Sequence, residues 1–431
     1  MFKRILLLLV CILLLFVSWV TVLGVESAAQ KQEVLIALAE GEIQNGTYIN
    51  AVPYLTEAVT YTTSRTFSTL EMLKDVYRTL GDTRKYVNVL KELLVHNDCP
   101  SGVYDEYARH HIAQNRQRDA LEMLRLGIVR TNDESLKEFY EEQRYAYIFK
   151  RDTYEDVTAF HNGGIQVRID DFWGLADGSG RTIIPCAYNQ ISTFDATNKG
   201  SVVAIQPDQT IVTLNMKNQP IAKLNLDILR IGNLSQDIIP LQLANGKWII
   251  ADSRLVSNNE QFEDVGIAHN QTIALKTDGK WGVISLNNEI IAPFEYEAIV
   301  MDELGRCYAQ NAVFVRRNGK VHLLVDGVLL PDVYEEAHPF TNEGWAAVKK
   351  NNLWGFIDTA GAFTIAPQYE EAQSFSGQLA AVKQGDFWGY ISSSGKVVIE
   401  PIFLQAKNFA DGNAPVLTDQ GWQFISLLEY N

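Results

Sequence analysis

At 431 residues the chain is long enough for two or three folded units of roughly 100–200 residues each. Hydrophobic residues make up 47% and charged residues 21%, with only 12 prolines, which excludes a disordered, collagen-like or wholly membrane-embedded protein. A net charge of −15 argues against nucleic acid as a partner, because phosphate binding needs clustered Lys and Arg. The acidity is uneven: residues 151–431 hold 20 basic against 33 acidic side chains. Cys11, Cys99, Cys186 and Cys307 lie far apart without C-x-x-C spacing, so neither a disulfide framework nor a zinc site is expected.

Lys3 and Arg4 precede an uncharged apolar run from Ile5 to Val25. As a helix it would be about 31 Å long, which matches a bilayer core. It predicts a signal-anchor transmembrane helix over residues 1–25. The basic pair would keep the N-terminus inside and place everything after Glu26 outside the cytoplasmic membrane. A secreted chain cut near Ala29 is the alternative, at the small residues Ser27-Ala28-Ala29. Val10 stands where a lipoprotein needs a small residue before its cysteine.

Between Ser27 and Tyr147 apolar residues recur at three and four, and turn signals fall at Gly46, Gly81 and Asn115. A period near 34 predicts stacked antiparallel helix pairs: Lys31–Gln44 with Tyr48–Tyr61, Ser68–Leu80 with Thr83–Val95, and Tyr104–Gln114 with Gln117–Val129. A last helix opens at Asn132 or Asp133. With Ala58 and Ala120 as small packing positions, residues 27–144 resemble tetratricopeptide repeats. That resemblance implies a concave face for a peptide or a partner helix; spacing and bracing the next domain is the plainer role.

Beyond residue 150 short alternating runs of Val, Ile, Phe and Trp are broken every eight to twelve residues by Gly, Asn and Asp, which predicts β structure. The clearest unit is Leu379–Lys383, Phe387-Trp388-Gly389-Tyr390-Ile391 and Lys396–Pro401, with a short aromatic strand closing near Phe409. Trp173, Trp248, Trp281, Trp354, Trp388 and Trp422 fall in phase, and weaker marks near Thr210 and Val321 bring the units to eight. With Trp-Gly at 173, 281, 354 and 388, residues 145–431 resemble the WG-repeat family of bacterial proteins, which is named for its repeat and not for a reaction. Asp278-Gly279, Asn245-Gly246 and Asn318-Gly319 predict tight hairpins. The tryptophans are expected as stacking core, and a carbohydrate platform would require them exposed.

Residues 413–426 supply only two strands before the chain stops. Tyr145–Phe149 aligns with Lys396–Pro401, and Tyr154–Phe160 aligns with Tyr369–Phe375. The expectation is therefore an all-β, eight-unit propeller-like ring whose last blade is shared between 145–160 and 413–426, two strands from each end. At about 36 residues per unit, three strands and a turn would also fit, and an open β-solenoid is the alternative fold.

No phosphate loop, dinucleotide fingerprint, H-E-x-x-H or G-x-S-x-G occurs. Ser394-Gly395-Lys396 sits in a repeat turn, and adjacent His110 and His111 cannot share a metal from one helix face. No catalytic residue, cofactor or metal is expected. Carboxylates repeat in phase as Glu155-Asp156, Glu335-Glu336 and Glu370-Glu371. In a ring they would form an acidic band for a basic protein face, a cationic peptide or Ca²⁺; a merely solvated edge is the plainer reading. The expected function is a membrane-anchored, non-enzymatic protein-interaction scaffold outside the cytoplasmic membrane, with a sensor of a small ligand or cell-wall glycan as the alternative.

Overall fold

The computed structural model describes residues 27–194, 200–224, 227–309 and 311–428, in two units that divide between Arg144 and Tyr145. The apolar run 5–25 lies outside the described residues, and among those described no helix is long and apolar enough to cross a membrane.

The first unit is a run of helices: α1 (27–44), α2 (Tyr48–Ala58), α3 (Thr66–Thr79), α4 (Thr83–Val95), α5 (Ser101–Ala113), α6 (Gln117–Thr131) and α7 (Glu134–Gln143). Gly46, Gly81 and Asn115 all take the left-handed φ that turns the chain back between paired helices. Asp82 and Asp133 cap α4 and α7 by accepting backbone N–H groups of the first turn. Ala51, Ala58, Ala108 and Ala120 are fully buried, which lets neighbouring helices approach closely. Glu106 on α5 ties three helices together, accepting from Lys74 (3.1 Å) and Arg78 (3.3 Å) of α3 and Tyr86 (3.0 Å) of α4.

The second unit is eight antiparallel sheets in chain order. The seventh shows the pattern: Glu371–Ala372, Leu379–Gln384, Phe387–Ser392 and Val397–Phe403, paired in sequence. By number the first seven span 156–188, 190–224, 228–251, 264–296, 298–334, 336–369 and 371–403. The eighth takes Gln405–Ala406, Asn413–Thr418 and Gly421–Leu427 from the end of the chain. Its outer strand is Tyr147–Tyr154, paired antiparallel with Gly421–Leu427. The ring is thus a closed eight-bladed propeller, not an open solenoid.

Closure differs from the expectation in phase. Three strands come from the C-terminus and one from the start of the unit, because Asp156–Val157 is the inner strand of the first blade. Likewise Glu371–Ala372, read from sequence as the close of one unit, opens the next. An inner strand of two residues is also what fits four strands into a short repeat. Two blades depart from four strands: the third has three, with bridges from Trp248 to Phe262 and Ala251 to Ser257 where an outer strand would run, and the fifth adds Tyr308–Ala309 beside Ala312–Arg317.

The Trp-Gly pair follows from a bulge. In the seventh blade Trp388 pairs with Phe403 and Tyr390 with Ile399, so Glu400-Pro401-Ile402 crowd opposite Gly389. A Cβ on Gly389 would stand 2.5 Å from the Ile399 carbonyl oxygen, and one on Gly174 the same distance from that of Ile184. Gly355 meets its outer strand at 2.7 Å and Gly282 meets the Phe294 ring at 2.8 Å. Proline fits the bulge since no ladder N–H is needed there. Where the ladder continues past this point, other residues stand after the Trp position: Val212 pairs with Lys223, His322 with Val333 and Gln423 with Thr153.

Candidate functional site at the propeller axis

Each short inner strand, two residues long except for Ile228–Ile231 of the third blade, is followed by one residue whose N–H donates to the second strand of its own blade. These residues are Thr158, Ser192, Gly232, Gly266, Val300, His338, Gln373 and Lys407, one per blade. They form a register ring, and it is lopsided: blades 1–4 carry small residues, whereas blades 6–8 carry His, Gln and Lys.

The small side accommodates an insertion. In the fifth blade the loop from inner to second strand runs over residues 300–311, against 373–378 in the seventh. This loop lies across the axis. Its Leu304 carbonyl accepts from Asn233 of the third blade (3.2 Å), and its Gly305 carbonyl accepts from the Ile267 N–H of the fourth (3.0 Å). Arg306 donates to the Phe160 carbonyl of the first blade (3.2 Å), and Glu303 accepts from Lys407 of the eighth (2.5 Å). A Cβ on Gly266 would stand 2.8 Å from the Gly305 carbonyl and 2.9 Å from the Met301 sulfur, so the loop packs directly on that glycine.

The loop floors a bowl of about 560 Å³, built by the loops that follow the inner strands of blades 1 and 4–8. Arg306 reaches it with its guanidinium held by Asp302 at 2.5 Å. Burial pushes His269 down to about 4 with help from the Arg306 charge, and burial also lowers His338. Both imidazoles are therefore neutral near pH 7. Cys307, also at the bowl, is 2% exposed, and burial pushes its thiol up to about 12. Among the described residues no group of three or more His, Cys, Asp or Glu is arranged to hold a metal ion.

Sequence reasoning missed this bowl. The residues 300–311 carry no periodic pattern, and the channel residues are single positions after strands too short to alternate. The only visible signal was the long gap between the Trp281 and Trp354 marks.

The paired acids lie on the opposite face, where outer strands pass to inner strands, and all but Glu155 have work within their blade. The first member reaches the tight turn between the second and third strands: Glu335 accepts from the Asn352 N–H (3.1 Å) and Glu370 from the Gly385 N–H (3.2 Å). Glu155 is exposed at the equivalent place. The second member faces a base in the next strand: Asp156 with Arg168 (3.7 Å), Glu336 with Lys349 (2.9 Å) and Glu371 with Lys383 (2.8 Å). Glu263-Asp264 and Glu297 occupy the same positions, and the first repeats the Glu-Asp-Val order of residues 155–157. Glu263 takes the Gly279 N–H, while Glu297 takes those of Asn318 and Gly319.

The tryptophans are interior. Trp281, Trp354, Trp388 and Trp422 are 5–7% exposed, while Trp173 and Trp248 are half-buried. Ile211 and Val321, both fully buried, replace them in the second and fifth blades.

The family described as WG containing repeat matches at residues 173–199, 281–320, 328–354, 354–386 and 388–422, four of these stretches opening on a tryptophan. No curated protein matches the sequence. Among solved structures, the crystal structure of BamB from Moraxella catarrhalis is similar at a TM-score of 0.45 and 9% identity, over 66% of this chain and 100% of that chain. Within residues 173–199 and 281–422 of the β unit, where the phased Trp-Gly pairs and bulged outer strands lie, the chain carries WG containing repeats.

Proposed function

We propose that the chain is a non-enzymatic protein-interaction scaffold, tethered to the cytoplasmic membrane by the apolar run 5–25 and displayed on its outer side. The bowl is the observation that supports this reading best. Loops from six blades converge on one concavity whose floor is bonded to blades 1, 3, 4 and 8, so the surface is rigid before anything binds. The acidic composition of residues 151–431 favours a basic partner.

A small-ligand or glycan sensor would use the same bowl, whose volume falls within the ~300–1,000 Å³ range of ligand sites. It is the less supported reading, because the tryptophans that could stack on sugars are half-buried or buried within the blades.

Photo-crosslinking residues placed at Asp411 on the bowl face and Lys383 on the opposite face, in the whole chain in its own cells, test the scaffold. A discrete protein adduct from position 411 is expected. Absence of adducts from both faces would contradict the scaffold.

A further inference from the structure

Three polar side chains line the bowl without a side-chain hydrogen bond among the described residues. The Gln373 amide makes no side-chain hydrogen bond among the described residues. Asn408 Oδ1 is buried with no partner among them. His338 stacks on Trp354 at 4.9 Å, with 20° between the rings, and its imidazole makes no hydrogen bond within the described residues either. Amides and neutral imidazoles each offer both a donor and an acceptor.

The charges at the axis narrow the ligand. Asp302 already answers Arg306, and Glu303 answers Lys407, so among the described residues at the axis no cation is left for a phosphate or a carboxylate. What remains is negative: Glu343 and Asp411 line the bowl, and although Glu343 accepts the Gln378 N–H (3.0 Å), neither carboxylate is paired with a cation among the described residues. Sugars are disfavoured as well, because Phe160, Phe340 and Phe409 beneath the surface are 8%, 5% and 1% exposed and offer no open ring face.

We propose that the bowl binds an extended peptide segment through main-chain hydrogen bonds to His338, Gln373 and Asn408, with a Lys or Arg of the peptide held by Glu343 and Asp411. This rests on the scaffold reading and names its surface and ligand class. The amides read the backbone, whose donors and acceptors alternate as theirs do. The two rim carboxylates select the side chain.

Fluorescence anisotropy of the detergent-solubilised full chain with short labelled Gly/Ser peptides tests it, comparing a central Lys-Arg pair, a central Glu-Asp pair and neither, with an unlabelled chitooligosaccharide as competitor. Peptides carrying Lys-Arg are expected to bind and Glu-Asp peptides to fail. Gln373→Ala and Asn408→Ala should each weaken binding about tenfold at an unchanged melting temperature. Glu343→Gln with Asp411→Asn should remove the preference for basic residues.

The proposal is overturned if no peptide binds saturably, if the Gln373 and Asn408 variants bind as the parent does, or if the oligosaccharide displaces the peptide. Should adducts from position 411 persist in cells while peptides fail, the scaffold stands and this ligand falls; peptide binding without any adduct would separate them the other way.

Discussion

Tyr154 donates its phenolic hydrogen to the Gly180 carbonyl at 2.7 Å, and the bond joins the last blade to the first. The same position recurs around the ring: Tyr188 reaches Asn218 in the next blade at 2.6 Å, and Tyr369 reaches Gly395 at 3.5 Å. In each case the end of an outer strand ties to the next blade's turn between third and fourth strands. Residue 403, facing the eighth blade, is phenylalanine. That blade has no such turn, because its third strand ends at Leu427 and its outer strand begins afresh at Tyr147.

Tyr154→Phe should therefore lower the unfolding free energy by about 1 kcal/mol in urea titration, since a buried carbonyl loses its donor. Tyr369→Phe should cost less, its bond being long. Phe403→Tyr should also destabilise, by burying a hydroxyl with no turn carbonyl to meet it.

Gly389→Ala is expected to be among the most damaging single changes in the β unit, costing about 3 kcal/mol or more by calorimetry or urea, because its Cβ would be driven onto the Ile399 carbonyl. Gln423→Gly, which installs the repeat's glycine where Gln423 instead pairs with Thr153, should change stability by only about 0.5–1 kcal/mol and in the unfavourable direction. Equal effects would mean that the bulge is not what selects the glycine.

The helices were legible because their burial follows the three-four rhythm, and Gly46, Gly81 and Asn115 mark the turns that the structure shows. Blade number was legible from Trp173 through Trp422. Blade phase was not: an inner strand such as Glu371–Ala372 is too short to show alternation, so it attached itself in reading to the strand before it. For the same reason Asp156–Val157 was grouped with the closing strand although it opens the first blade. The acids were visible, but their partners Lys349, Lys383 and the turn N–H groups emerge only from cross-strand register. The axis loop was invisible, because Gly266 opposite it shows its purpose only when the Gly305 carbonyl is seen against it.

Displacing that loop should expose Cys307. Gly266→Val puts a side chain where the Gly305 carbonyl and Met301 sulfur now sit. Thiol labelling of the parent should leave Cys307 unreacted, while the variant should react at Cys307 with Cys99 still protected. Labelling that is unchanged would show the loop to be held independently of Gly266.

His269 should make the ring acid-sensitive. Its folded pKa, about 4, lies below the 6.5 of an ordinary histidine, so between those values the unfolded chain binds the extra proton. The stability involved is fully present above about pH 6.5 and declines as the pH falls, levelling off near 4, for a total of at most about 3 kcal/mol. Melting temperatures measured down this range should fall less steeply for His269→Gln than for the parent.

Ring closure rests on Tyr147–Tyr154 pairing with Gly421–Leu427, in which Thr153 lies opposite Gln423. Directly opposed residues of an antiparallel pair bring their Cβ atoms to about 4.5–5.5 Å, close enough for a disulfide after slight adjustment. The most direct measurement is oxidation of a Thr153→Cys, Gln423→Cys double variant on a background with the native cysteines replaced, read by peptide mass mapping. An intramolecular 153–423 crosslink forming in folded monomer, and raising its melting temperature, is the expected result. Two thiols that stay free, or that link only between molecules, would contradict a ring closed by its own beginning.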